Sequence, residues 1–206
     1  MQKKLQQQIE RIKAKGATYV DARWYPYEET NQLVMWNSNL KDTTAARESG
    51  VGIRVLYKGA WGFSATSDLS NLDALFDKAF DNARLAAERV TFPIRLAEKD
   101  AIQASFTSPC QIDPFTVPLA EKVAFLKAMD DQLNQAGVAQ RVSGLSFVRK
   151  QIVFLDSEGS LIEKNITEAF PFLQVVGIDD QGNAHVRKYQ PALNNISRGW
   201  ETLDPA

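Results

Sequence analysis

The sequence predicts an α+β protein. Three observations carry that expectation. Apolar residues recur at helical spacing over 2–15, over 70–90 and again from Pro118 onward. Most of the remainder alternates apolar and polar residues, as half-buried strands do. The strands follow one another through Gly, Asn and Asp turns and do not alternate singly with helices, which argues against βαβ units. The expected organisation is two small regions, each an antiparallel or mixed sheet packed with one or two amphipathic helices. The first spans 1–92, a proline-containing connection 93–117, and the second 118–206.

Leu5, Ile9 and Ile12 stand at i, i+4 and i+7, and Gly16 is placed to end that helix. In Tyr19-Val20-Asp21-Ala22-Arg23-Trp24 the residues Val20, Ala22 and Trp24 share one side of a strand. Glu28-Glu29-Thr30-Asn31 reads as a polar turn into a second strand, 32–36, with a further extended segment around 40–48. The run from Gly50 to Tyr57 has the strongest strand signal of this half. Lys58-Gly59 is a two-residue turn, and Ala60-Trp61-Gly62-Phe63-Ser64-Ala65 returns. Gly52 is the glycine at which strand packing is expected to resist a larger side chain. The helix over 70–90 carries Leu72, Leu75, Phe76, Ala79, Phe80, Ala83, Ala87 and Val90, and Ser70 with Asp73 resembles a capping box.

Pro93, Pro109, Pro114 and Pro118 mark the connection. A helix follows with Leu119, Val123, Leu126, Met129 or Asp130, and Leu133 along one side. Then come strands over 143–149 and 151–155, a turn at Ser157-Glu158-Gly159, and strands over 161–169 and 170–178, with Pro171 at an edge or bulge. A turn over 179–183 leads to a last strand, 184–189.

Composition narrows the chemistry. The chain has 206 residues, 44% hydrophobic and 24% charged, the balance of a soluble globular protein. No run approaches the roughly 20 apolar residues of a membrane helix. Met1-Gln2-Lys3-Lys4-Leu5 does not open a signal peptide, and the single Cys110 fits a reducing compartment, so the expectation is cytoplasmic, with no membrane partner. A net charge of −1 gives no general drive towards phosphates, and the pairs Arg149-Lys150 and Arg187-Lys188 read as solvated strand faces. Direct nucleic-acid binding is not expected.

A hydrolytic metal site needs at least three His, Cys or carboxylate ligands with one position open. This chain has one His and one Cys. His185 reads as a solvent-facing strand residue and Cys110 as a lone loop thiol. Asp179-Asp180-Gln181-Gly182-Asn183 has its glycine too early for a calcium loop and reads as a hairpin turn. Ser64, Ser67 and Ser157 lie outside a Gly-x-Ser-x-Gly elbow, and no glycine-rich phosphate fingerprint is complete. Trp61 and Phe63 read as packing residues more than as a stacking platform. Glu28, Glu29, Asp156 and Glu158 fall at or near expected turns. No catalytic, cofactor-binding or metal residue is assigned in this chain, and no cofactor.

The segment from Ser49-Gly50-Val51-Gly52-Ile53-Arg54-Val55 through Lys58-Gly59-Ala60-Trp61-Gly62-Phe63 to Ser67-Asp68-Leu69 closely resembles the hallmark of the TldD/PmbA metallopeptidase family, also called the modulator of DNA gyrase family. Gly16-Ala17-Thr18-Tyr19-Val20-Asp21-Ala22-Arg23 is similar to the family's first helix-to-strand passage. Ile112-Asp113-Pro114-Phe115-Thr116-Val117-Pro118-Leu119 and Val153-Phe154-Leu155-Asp156-Ser157-Glu158-Gly159-Ser160 resemble downstream passages of TldD-type members. The resemblance implies a cytoplasmic peptidase acting on unfolded peptides, working as a homo- or hetero-oligomer with a related subunit. It also implies zinc held by a His-Glu-x-x-x-His helix carboxy-terminal to everything here. The sequence ends at Leu203-Asp204-Pro205-Ala206 without that motif, and Ser197-Arg198-Gly199-Trp200-Glu201 resembles the passage into the missing region. The expectation is therefore a non-catalytic amino-terminal segment, truncated before the catalytic domain, inactive alone, that helps form the substrate chamber and subunit contacts. The alternative is a free-standing protein-binding or assembly module, regulatory and gyrase-related, without catalysis.

Overall fold

The computed structural model describes residues 1–135, 137–189 and 197–203. The fold is α+β, and the described residues form three α-helices and one open seven-stranded sheet. The helices are α1 Gln2–Ala14, α2 Leu72–Ala87 and α3 Leu119–Gln135. The strands are β1 Tyr19–Trp36, β2 Asn39–Tyr57, β3 Ala60–Thr66, β4 Gln103–Thr107, β5 Gln140–Asp156, β6 Leu161–Ile178 and β7 Ala184–Tyr189. Their order is β3-β2-β1-β5-β6-β4, with β7 also on β6. β3 and β7 pair antiparallel to their neighbours, whereas β4 runs parallel to β6.

Several expected breaks are continuous strand. Glu28-Glu29-Thr30-Asn31 lies inside β1 and is not a turn. The chain reverses instead at Asn37-Ser38, where both residues have positive φ (44° and 65°), the backbone of a two-residue hairpin. Likewise 40–48 and 50–57 are one strand, as are 143–149 with 151–155 and 161–169 with 170–178. The connection holds β4, whose five residues are all exposed. The α2 cap is Asn71, whose Oδ1 accepts from the Ala74 amide at 3.0 Å, one residue beyond the expected Ser70. Turns at Lys58-Gly59, 157–159 and 179–183 stand where expected, with φ of 81°, 94° and 82° at Gly59, Gly159 and Gly182.

Two compact units are assembled from non-consecutive segments. The first comprises 1–28, 48–107 and 150–165, and the second 29–47, 108–149 and the described part of 166–206. β1, β2, β5 and β6 contribute residues to both, so a division in chain order at 93–117 describes a different partition. Residues 190–196 and 204–206 of the expected second region lie outside the described residues.

In the first unit Leu5, Ile9 and Ile12 of α1 and Leu75, Phe76, Ala79 and Ala83 of α2 bury against Val20, Ala22, Ile53 and Val55. Arg11 of α1 and Lys15 at its C-terminal cap both pair with Asp77 of α2, at 2.7 and 2.6 Å. The second unit packs Leu126 of α3 with Leu33, Met35, Leu145, Phe147, Trp200 and Leu203. The buried face of α3 is not purely apolar. Lys122, Leu126 and Asp130 stand at i, i+4 and i+8, and all three are buried.

Candidate functional site

The titratable side chains weighed from sequence are dispersed and mostly occupied. His185 on β7 is exposed and places Nε2 2.9 Å from Asp179 Oδ2. Asp179 also accepts from the Gln181 and Asn183 amides, and the His185 contact with these bonds holds its carboxyl down at about 2. That is hairpin chemistry. Cys110 is an exposed free thiol pushed up by partial burial and by Glu201 and Asp113, the opposite of an activated thiolate. Ser64 donates to the Leu75 carbonyl at 2.7 Å, and Ser157 Oγ accepts from the Val20 amide. Asp156 is fully buried, with Oδ1 accepting from the Glu158 and Ser160 amides and Oδ2 from Lys99 at 2.7 Å. Lys99 also pairs with Glu158 at 3.2 Å, so this carboxylate pair locks a turn. Trp61 packs edge-on to Tyr19 at 5.9 Å, while Phe63 is 58% exposed.

Glu29 and Arg149, read from sequence as turn and solvated-strand residues, join a set otherwise not singled out there around a cavity of about 620 Å³ in the second unit. Its floor is the polar middle of β1, Glu29-Thr30-Asn31. Thr43-Thr44-Ala45-Ala46-Arg47 of β2 line it as well, with Phe115 and Val117 ahead of α3 and Leu119 and Lys122 in its first turn. Five consecutive residues of one strand can border a cavity only if its backbone is reached as well as one face.

The charges here are ordered. Arg149 stacks over Phe115 with its guanidinium 4.7 Å from the ring centroid and pairs with Glu29 and with Asp113 at 2.5 and 2.6 Å. Arg47 reaches the other Glu29 oxygen at 2.7 Å. Arg149 is therefore not a solvated strand residue, as its sequence context had suggested. Its two carboxylate partners and the aromatic face fix its plane. Lys122 is 5% exposed, and its ammonium donates to Asn31 Oδ1 at 2.6 Å and lies 5.3 Å from the Phe147 ring centroid. Among the described residues no carboxylate comes within ion-pair distance of it, and desolvation lowers its pKa although Asp113 opposes that.

Beside this cavity the sheet edge is open. β3 pairs with β2 only over Val51 to Tyr57. The preceding residues of β2 have β1 as their only strand neighbour among the described residues, and 39–49 are all exposed. The opposite edge is better covered. β4 takes Leu161 to Asn165 of β6, β7 takes Leu173 to Ile178, and Ser108 Oγ bonds both main-chain groups of Thr167 between them.

Comparison with known proteins accounts for this arrangement of strands. The profile described as PmbA/TldA metallopeptidase domain 1 matches residues 25–83, and that of the PmbA/TldA metallopeptidase central domain matches 112–193. The chain belongs to the TldD/PmbA family. Within that family it is 26% identical over 179 residues to a metalloprotease of Methanocaldococcus jannaschii, covering 86% of this chain and 39% of the relative. A Thermotoga maritima structure described as a modulator of a DNA gyrase superposes with a TM-score of 0.70 at 18% identity, over 97% of this chain and 44% of the other. TldE of Thermococcus kodakarensis superposes with a TM-score of 0.58 at 14% identity, over 90% and 42%. The chain thus spans less than half the length of these family members.

The family descriptions name metallopeptidases, and the donors present here do not fit a hydrolytic zinc ion. Among the described residues no three His, Cys, Asp or Glu side chains are grouped to hold a metal. His185 is engaged with Asp179, and the buried carboxylates are engaged with cations and amides. No described helix is long and apolar enough to cross a membrane.

Proposed function

We propose that this chain is the non-catalytic, peptide-holding amino-terminal part of a TldD/PmbA-type metallopeptidase that acts on unfolded peptides in the cytoplasm. In this reading it helps enclose the chamber by which peptide reaches a metal held elsewhere, and it supplies contacts to a related subunit. The observation that carries the reading is the open edge of β2. An extended peptide laid there gains main-chain hydrogen bonds whatever its sequence, the property needed by a protein that receives unfolded chains. Membership of the family and the scattered donor set support the same division of labour.

The purified chain is expected to retain well under one zinc ion per molecule after gel filtration. It should hydrolyse no unfolded peptide at a rate above buffer. Zinc retained at one per chain, with peptide hydrolysis abolished by a chelator, would overturn the reading.

A further inference from the structure

We infer that the cavity beside Lys122 is an anion subsite that takes the side-chain carboxylate of an extended acidic peptide lying along the open edge of β2. The inference rests on the peptide-holding reading above and adds a chemical preference to it.

The charge arrangement leads to this ligand. The cavity is lined by Arg47, Arg149, Lys122 and Glu29, and Asp113 pairs with Arg149 from outside that lining. Both arginines are engaged with the two carboxylates, through Glu29 shared between them and Asp113 on Arg149. Among the described residues Lys122 has no ion pair: its ammonium meets the neutral carbonyl of Asn31 and an aromatic face, and Asp113 acts on it from beyond ion-pair distance. A nearly buried ammonium is costly unless a counter-charge stands by, and an incoming carboxylate supplies it. A cationic side chain would be repelled by Lys122, whose charge has no paired carboxylate among the described residues, and is disfavoured.

The geometry selects a peptide over a free ion. Thr43 to Ala46 of β2 also line the cavity, a stretch with no strand neighbour besides β1 among the described residues. A strand added there directs alternate side chains to the face that bears Asn31 and Lys122. A volume of about 620 Å³ holds several side-chain atoms of such a segment, far more than one small anion requires. Phe115, Val117 and Leu119 then cover its methylene groups.

The test compares two fluorescein-labelled Thr/Val hexapeptides that differ only by Glu or Gln at one central position, titrated by anisotropy against the full chain. The Glu peptide is expected to bind roughly tenfold more tightly, the gain of one charged hydrogen bond. Lys122→Met should erase the difference between the two peptides, whereas Lys122→Arg should keep the preference. Equal binding of both peptides to the wild-type chain, or a preference that survives Lys122→Met, overturns the subsite and leaves the edge reading standing. If neither peptide binds, the edge reading fails, and the subsite is judged on the wild-type chain alone. There the Lys122 ε-methylene signal is followed by NMR through a pH titration, with N-acetylglutamate amide or N-acetylglutamine amide present. The carboxylate compound should move the Lys122 midpoint upward and the neutral one should not. An unmoved midpoint overturns the subsite.

Discussion

Gly62→Val is expected to destabilise the chain by about 3 kcal/mol or more, enough to lower its thermal midpoint sharply or prevent folding. A Cβ at Gly62 would stand 2.1 Å from the Ala79 carbonyl oxygen and 2.2 Å from the Ala83 nitrogen. Both are backbone atoms of α2, so relief requires the helix to retreat from β3. That retreat would break the bond from Ser64 to the Leu75 carbonyl and the bond from Asn82 to the Phe63 carbonyl. It would also open the packing of Phe76, Ala79 and Ala83, all fully buried. Gly52→Val is the comparison. There the nearest neighbour is Phe63 Cε2 at 3.3 Å, the end of a ring that is 58% exposed and free to turn. Its expected cost is under about 1 kcal/mol. Thermal melts of the two variants measure the difference, and equal losses would contradict the close helix-on-strand contact.

Asp130→Ala is expected to cost about 3 to 5 kcal/mol, because it strands a buried guanidinium. Asp130 is completely buried and the Arg141 side chain only 9% exposed. Oδ1 accepts from Arg141 Nε at 3.1 Å, and Oδ2 accepts from Arg141 Nη2 at 3.3 Å and Ser38 Oγ at 2.6 Å. Desolvation alone would raise this carboxyl, but the Ser38 and Arg141 bonds and the arginine charge outweigh it and hold the group below the usual carboxylate range. The sign of the pH dependence follows. A folded-state pKa below the unfolded one gives a contribution fully present above the ordinary carboxylate range, lost as pH falls through the lowered value. The Asp130→Ala variant should therefore lose most stability relative to wild type near neutral pH, with the gap closing in acid. Urea unfolding at several pH values measures it, and a gap that widens on acidification would contradict the pairing.

How much of this was legible in the sequence follows from local physics. Turns with positive-φ residues, such as Lys58-Gly59, and the stripe Leu5, Ile9, Ile12 are set by nearby residues and stand where the sequence puts them. The polar run Glu28-Glu29-Thr30-Asn31 was misread as a turn because its partners are remote. Arg149, Arg47 and Lys122 satisfy it across the sheet and from a helix, and nothing nearby in sequence announces them. Lys122 was hidden for the same reason, whereas Asp130 stood on the helix's apolar side as an alternative to Met129, without its remote partner Arg141. A charged residue on the core-facing stripe of a helix looks like a break in the pattern until its buried counterpart is known. The usable signal was the i, i+4, i+8 placement of Lys122, Leu126 and Asp130. The exposed β4 was missed because its five residues carry no alternation of burial, and its parallel pairing to β6 is with residues remote in sequence.

The central claim is that the edge of β2 ahead of Val51, which has no strand neighbour besides β1 among the described residues, receives peptide by strand addition. Amide hydrogen exchange on the full chain, resolved by residue, with and without a saturating extended peptide, tests it most directly. Amides between 39 and 47 that point away from β1 should slow by roughly tenfold or more on binding, while those of Val51 to Tyr57, already paired with β3, should not change. Unchanged exchange across 39–47 while the peptide is demonstrably bound would contradict the account.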